Sequence, residues 1–123
     1  MALIRRGDLR WFSFPKPDKR RPVLILGRDE LLPALSLVPV IPLSTQVRGL
    51  SWEVAFGPND GLPSPCVLKP EWIRAVDRSL LGPRITGLLP GRWPEIERAL
   101  LDVLGFPQAQ DGGAGSPSSR RNL

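Results

Sequence analysis

Two short apolar runs carry, at their ends, the side chains that phosphate chemistry needs. Arg20 and Arg21 lead into Pro22-Val23-Leu24-Ile25-Leu26, and about twenty residues later Val40-Ile41-Pro42-Leu43 leads out into Ser44-Thr45-Gln46. A guanidinium is a permanent fork of donors that matches phosphate oxygens in pairs, and a hydroxyl can donate to a third oxygen. If the runs are neighbouring strands, a cation and two hydroxyls meet at one rim of a small sheet, where a phosphodiester can be held. The chain has no histidine and one cysteine, Cys66. Histidine acid–base catalysis, an intramolecular disulfide and the usual zinc sites are thereby excluded, and no metal site is expected.

The elements that must position these residues belong to a chain of 123 residues, enough for one modest core and too few for two. Charge is unevenly placed. Residues 1–28 carry eight Arg or Lys against Asp8 and Asp18, a net of +6, and the remainder is close to neutral at −1. Either a polyanion such as nucleic acid meets this basic face, or it is a solvated surface without a partner. The N-terminus has no apolar stretch long enough for a signal peptide. The most apolar run, Leu31 to Leu43, is broken by Pro33, Pro39 and Pro42 and too short to span a bilayer. A cytoplasmic protein with no membrane partner is the expectation.

Fifteen prolines and twelve glycines argue against long helices and for short strands joined by tight turns. Period-2 patterning and turn residues place strands at Asp8–Phe14, Arg21–Leu26, Leu37–Leu43, Leu50–Phe56, Ser64–Lys69 and Trp72–Val76, with Arg84–Leu88 a short strand or a turn. Pro39 and Pro42 suggest that the third strand is an edge or carries a bulge. Trp52, Val54 and Phe56 fall on one face of the fourth, Ser51, Glu53 and Ala55 on the other. Asp29 is placed to cap a short helix with Pro33 in its first turn. From Pro94 the spacing becomes helical: Trp93, Ile96, Leu100, Val103 and Leu104 form one stripe, and Gly105 ends it, giving a helix over 94–104. The polar, Gly- and Ser-rich segment 107–123 reads as a disordered tail after a domain of residues 1–106. The expected fold is mainly β with a C-terminal helix, a strongly curved SH3-like barrel.

Four motifs occur in an order and spacing that resemble the MazF/PemK toxin family: Arg6-Gly-Asp-Leu, Arg21-Pro-Val-Leu-Ile-Leu, Val40-Ile-Pro-Leu-Ser-Thr-Gln and Ile73-Arg-Ala-Val-Asp77. The resemblance covers residues 4–106. It implies the barrel shared by MazF and CcdB, and the toxin half of a type II toxin–antitoxin pair. It further implies a homodimeric, sequence-selective endoribonuclease that cleaves single-stranded RNA without a metal or other cofactor. Its cognate antitoxin is expected to cover the RNA groove with an acidic C-terminal segment.

Carried over residue by residue, the resemblance makes Arg21 the catalytic arginine. Its high pKa suits it to electrostatic stabilisation of the pentavalent phosphate rather than to general-base work. Ser44 stands where the family usually has threonine, with Thr45 beside it. Strand alternation predicts that only one of the two faces the RNA, Ser44 being favoured. Lys69 and Glu71 fall where some members carry an arginine and an aspartate proposed as acid and base: Glu71 is a candidate to accept the 2′-hydroxyl proton and Lys69 to neutralise phosphate, or the two form a surface ion pair. Arg74 and Asp77 match the family's Arg-x-x-Asp, either in RNA binding or in holding a strand and turn. The loop Pro15–Arg20 is shorter than the family's usual loop and lacks its Gln or His. Lys16, Lys19 and Arg20 remain to hold the RNA backbone, and Trp11, Phe14 or Trp52 either stack a base or sit in the core.

Two other functions compete. A CcdB-like gyrase poison needs a Trp-Gly-Ile ending, where this chain has Leu104-Gly105-Phe106 followed by a polar tail. A noncatalytic barrel that binds RNA or a partner is the second.

Overall fold

The computed structural model describes residues 3–16 and 19–106, so the expected tail 107–123 lies outside the described residues. Seven strands form one curled antiparallel sheet: β1 (Asp8–Ser13), β2 (Arg20–Ile25), β3 (Leu37–Ser44), β4 (Val54–Phe56), β5 (Cys66–Leu68), β6 (Arg74–Asp77) and β7 (Arg84–Gly87). A single α-helix, α1 (Trp93–Leu104), follows. The strand order is β4-β5-β3-β2-β1-β7, with β6 also paired to β3.

β3 is the organising strand. One edge pairs with β2 along Val40, Ile41 and Pro42. The other pairs first with β6, from Leu37 to Val40, and then with β5 at Leu43 and Ser44. This corrects the edge position suggested by its prolines: β3 is central. Its prolines are tolerated because the N and O of one strand residue point to the same side. The carbonyl of Pro42 accepts from Lys69 N at 3.0 Å, so its absent donor faces the break between β5 and β6 at the short turn Pro70–Trp72. The carbonyl of Pro39 accepts from Leu26 N at 2.9 Å, just past the end of β2. Neither proline interrupts a ladder bond that the sheet needs.

The two faces of the sheet bury separate apolar groups. Leu9, Leu24, Ile41, Leu43, Val54, Phe56, Leu68 and the helix residues Ile96 and Ala99 pack on one; Phe12, Phe14, Val23, Ile25, Val38, Val40 and Val76 pack on the other. Helix α1 begins with Pro94 in its first turn and ends at Gly105, whose φ of +76° is the left-handed cap glycine favours. Its buried stripe is Ile96 and Ala99, whereas Leu104, assigned to the stripe from spacing, is exposed. Arg92, at the start of α1, ties the helix down: it donates to Glu95 at 2.8 Å, to Asp60 at 2.7 Å and to the Ala55 carbonyl at 2.7 Å, and lies 4.2 Å from the Phe56 ring centroid.

Several expected elements are shorter: β5 is Cys66–Leu68 within the expected Ser64–Lys69, and β6 starts at Arg74, not Trp72. Leu50–Glu53 is a turn, not strand, because the Glu53 carboxylate accepts from the backbone N–H groups of Arg48, Gly49 and Leu50 at 2.9–3.3 Å and holds the chain folded back. After Asp29 there is only a single 3-10 turn, Leu32–Ala34, with Pro33 inside it. The Asp29 carboxylate accepts from Arg6 N at 2.8 Å instead of capping.

Candidate active site

The β2–β3 register pairs Ile25 with Val40, Leu24 with Ile41 and Val23 with Pro42. Continued two residues, it sets Arg21 opposite Ser44. The Arg21 Nη1 donates to the carbonyl of Leu43 at 3.4 Å, which draws the guanidinium across to β3. Arg21, Ser44 and Thr45 line one cleft of about 200 Å³ together with Lys19, Arg20 and Trp11. Its floor and far wall are apolar, from Leu43, Leu62, Pro63 and Cys66.

Ser44 is buried at 7% exposure, and its Oγ accepts from Gln46 N at 3.0 Å. That local turn ends β3 and leaves the hydroxyl proton available to donate. Thr45 is exposed. Both line the cleft, contrary to the alternation rule, because the strand stops at Ser44 and the chain turns there.

Arg21 also lines a second cleft, of about 240 Å³, with Phe14, Pro42, Trp72 and Arg74. Its guanidinium carbon lies 5.2 Å from the Trp72 ring centroid, and that of Arg74 lies 5.0 Å from Phe14. Contacts of this kind hold guanidiniums in place while leaving their edges to donate.

The remaining expected residues are placed elsewhere. Lys16 is exposed at the start of the β1–β2 loop and lines neither cleft. Lys69 is 1% exposed, turned inward to an ion pair with Glu53, with its ammonium 5.5 Å from the Trp72 ring. The hydrogen bond from Lys69, helped by the backbone donors, holds the Glu53 carboxyl below the ordinary carboxylate range against the cost of desolvation. The alternative of a Lys69–Glu71 surface pair is therefore not formed. Glu71 accepts from Trp52 Nε1 at 3.1 Å and lines neither cleft. Asp77 accepts from the side chain and the backbone N–H of Ser79 at 2.8 and 2.9 Å, which lowers its pKa and marks it as a turn-maker.

Sequence reasoning missed Glu53, Trp72 and the cleft wall. Glu53 falls in an expected strand on the face opposite Trp52, Val54 and Phe56, and nothing in the local pattern signals a carboxylate folded under its own turn. Trp72 was read as strand; Pro70, two residues before it, was the signal that the backbone breaks there. The Cys66 thiol, in the wall beside Ser44, is pushed up to about 11 by burial and the nearby Asp60 charge, so it is a neutral packing group at pH 7. Among the described residues no three of His, Cys, Asp and Glu cluster as a metal site requires.

Comparison with known proteins identifies the family and the fold. Residues 5–104 match the family described as PemK-like, MazF-like toxin of type II toxin–antitoxin system. The chain is 39% identical over 83 residues to endoribonuclease MazF3 of Mycobacterium tuberculosis, covering 68% of this chain and 81% of that one. It is 37% identical over 93 residues to the probable endoribonuclease MazF2 of the same organism, covering 75% and 89%. Among solved structures, the M. tuberculosis toxin MazF-mt6 superposes with a TM-score of 0.75 at 32% identity, over 82% of this chain and 99% of that one. A mycobacterial endoribonuclease in complex with its cognate antitoxin shares the fold, with a TM-score of 0.71 at 23% identity over 88% and 99%. The chain belongs to the PemK-like, MazF-like toxin family of type II toxin–antitoxin systems.

Proposed function

We propose that this toxin is an endoribonuclease that cleaves single-stranded RNA within the cleft shared by Arg21 and Ser44, and so blocks translation and growth in the cytoplasm. The observation that carries the reading is the cross-strand placement of a guanidinium and a hydroxyl at one rim, in a chain whose relatives are endoribonucleases. The substrate's own 2′-hydroxyl oxygen attacks the adjacent phosphorus. As the new P–O2′ bond forms, the P–O5′ bond breaks, and the proton lost from the 2′-oxygen is balanced by one gained at the 5′-oxygen. The products are a 2′,3′-cyclic phosphate and a 5′-hydroxyl.

Arg21 stabilises the additional negative charge of the pentavalent state, and Ser44 and Thr45 donate to nonbridging oxygens. Lys19, Arg20 and Arg74 attract and hold the flanking phosphates. Glu71 and Lys69 take no step from their present positions, since one is tied to Trp52 and the other is buried against Glu53. The working form is a homodimer, inhibited by an antitoxin whose acidic segment is drawn to the same basic rim.

The test is cleavage of single-stranded RNA by the purified chain in EDTA, followed by analysis of the ends. Cyclic phosphate and 5′-hydroxyl termini are expected. Termini bearing a 5′-phosphate, or activity only with added magnesium, contradict the mechanism.

A further inference from the structure

Arg21 borders two clefts that open on opposite faces of the sheet. Trp11 and Phe12 are consecutive on β1, paired with Pro22 and Arg21 on β2, so their side chains point to opposite faces. The cleft walled by Trp11 continues the Leu9, Leu24 and Leu43 face; the cleft walled by Trp72 and Phe14 continues the Phe12, Val23 and Val40 face. The pattern is the same on both sides. An indole stands beside a guanidinium: Arg20 lies 4.2 Å from the Trp11 ring centroid, and Arg21 lies 5.2 Å from that of Trp72.

The chain has four tryptophans, all half-buried, and they differ in what they pack against. Trp52 and Trp93 pack against the apolar core, Trp93 doing so although Arg6 lies 4.2 Å from its ring centroid in a cleft beside α1, whereas Trp11 and Trp72 pack against neither buried cluster. Both of the latter are half-buried at a cleft wall. A large apolar ring kept out of the core and partnered by an arginine is what single-stranded nucleic acid uses, the ring stacking a base and the guanidinium taking a phosphate.

We infer that Trp11 and Trp72 are specificity-determining residues that stack the two nucleobases on either side of the linkage held at Arg21, one base in each cleft. The inference rests on the proposed ribonuclease function and deepens it. The strand passes over the end of β2, its phosphate at the shared arginine and its bases splayed to opposite faces. The unit that the protein reads is then centred on the cut.

Two measurements test this on the full chain. The first maps cleavage sites in a random single-stranded RNA pool for the wild type, Trp11→Ala and Trp72→Ala, with Trp11→Phe and Trp72→Phe as variants that keep a ring and guard against misfolding. Each alanine variant is expected to weaken the base preference on one side of the cut by about 5- to 150-fold, the scale of losing one stacked base. The two affected sides should differ, and each phenylalanine variant should restore its side. Slower cutting with unchanged preferences, or both variants altering the same side, overturns the inference while leaving the ribonuclease reading standing.

The second measures binding of oligoribonucleotides made uncleavable by 2′-O-methylation, with one 2-aminopurine moved along the strand. Fluorescence should be quenched at two positions flanking one linkage, one lost in each alanine variant. That pattern from a chain that cuts no RNA would sustain two stacking sites and overturn the ribonuclease reading alone. Quenching that both variants leave intact, or no binding, overturns the stacking sites.

Discussion

Arg21 and Ser44 stand opposite each other in register two residues past the last pair of the β2–β3 ladder and line one cleft, so a pair distant in sequence is brought together by adjoining strands. Val23 opposite Pro42 is the last ladder pair, and the reach of Arg21 Nη1 to the Leu43 carbonyl at 3.4 Å bridges the remaining distance. Both strands are anchored by fully buried neighbours, Val23, Leu24, Ile41 and Leu43. A transition state that needs donors already in place is best served by such rigid elements.

Arg21→Ala is expected to lower RNA cleavage by at least ~10²-fold, the scale of removing one preorganised transition-state donor. Arg21→Lys should recover only part of this, because an ammonium keeps the charge but not the planar fork. Initial rates on a defined substrate, with melting curves to show an intact fold, check both. Activity near wild type in Arg21→Ala removes the residue from the site.

Glu53 predicts a pH dependence of stability. Its carboxyl is held low in the folded chain by Lys69 and the 48–50 backbone donors. The unfolded chain therefore takes up the proton first. Stability from this group is complete at neutral pH and is lost as pH falls below about 4.3, the ordinary Glu value, toward the lower folded value. Melting temperature should fall more steeply between about pH 5 and 3 in the wild type than in Glu53→Gln. Parallel profiles contradict this.

Cys66 should be inert while the chain is folded. With its thiol pushed up to about 11 and its side chain buried, the thiolate is scarce at pH 8. Ellman's reagent is expected to react only on the unfolding timescale, and rapidly after denaturation. Fast labelling of the native chain shows an open or activated thiol instead.

Much of this design was legible before any coordinates. The paired polar ends of β2 and β3, the basic first quarter and the terminal helix all rest on local patterns: apolar runs bounded by charge or hydroxyls, and a 3.6-residue period closed by Gly105. What escaped depends on contacts between distant segments. Glu53 looked like an ordinary strand residue because its role is set by Lys69, sixteen residues away. Pro39 and Pro42 looked like edge markers because the places that accommodate them, the end of β2 for Pro39 and the break between β5 and β6 for Pro42, are properties of the assembled sheet. Thr45 was set against Ser44 by an alternation that holds only while a strand continues. The separation of Trp11 and Trp72 from Trp52 and Trp93 has no counterpart in sequence, where each of the four has at least one polar or charged residue beside it.

The most direct measurement is a double-mutant cycle on RNA cleavage with Arg21→Ala, Ser44→Ala and the combined variant. If both side chains act on one phosphate, the combined loss falls short of the product of the single losses, with a coupling of about 0.5–3 kcal/mol. Independent, multiplicative losses contradict a shared phosphate, and a Ser44→Ala variant as active as wild type excludes the hydroxyl outright.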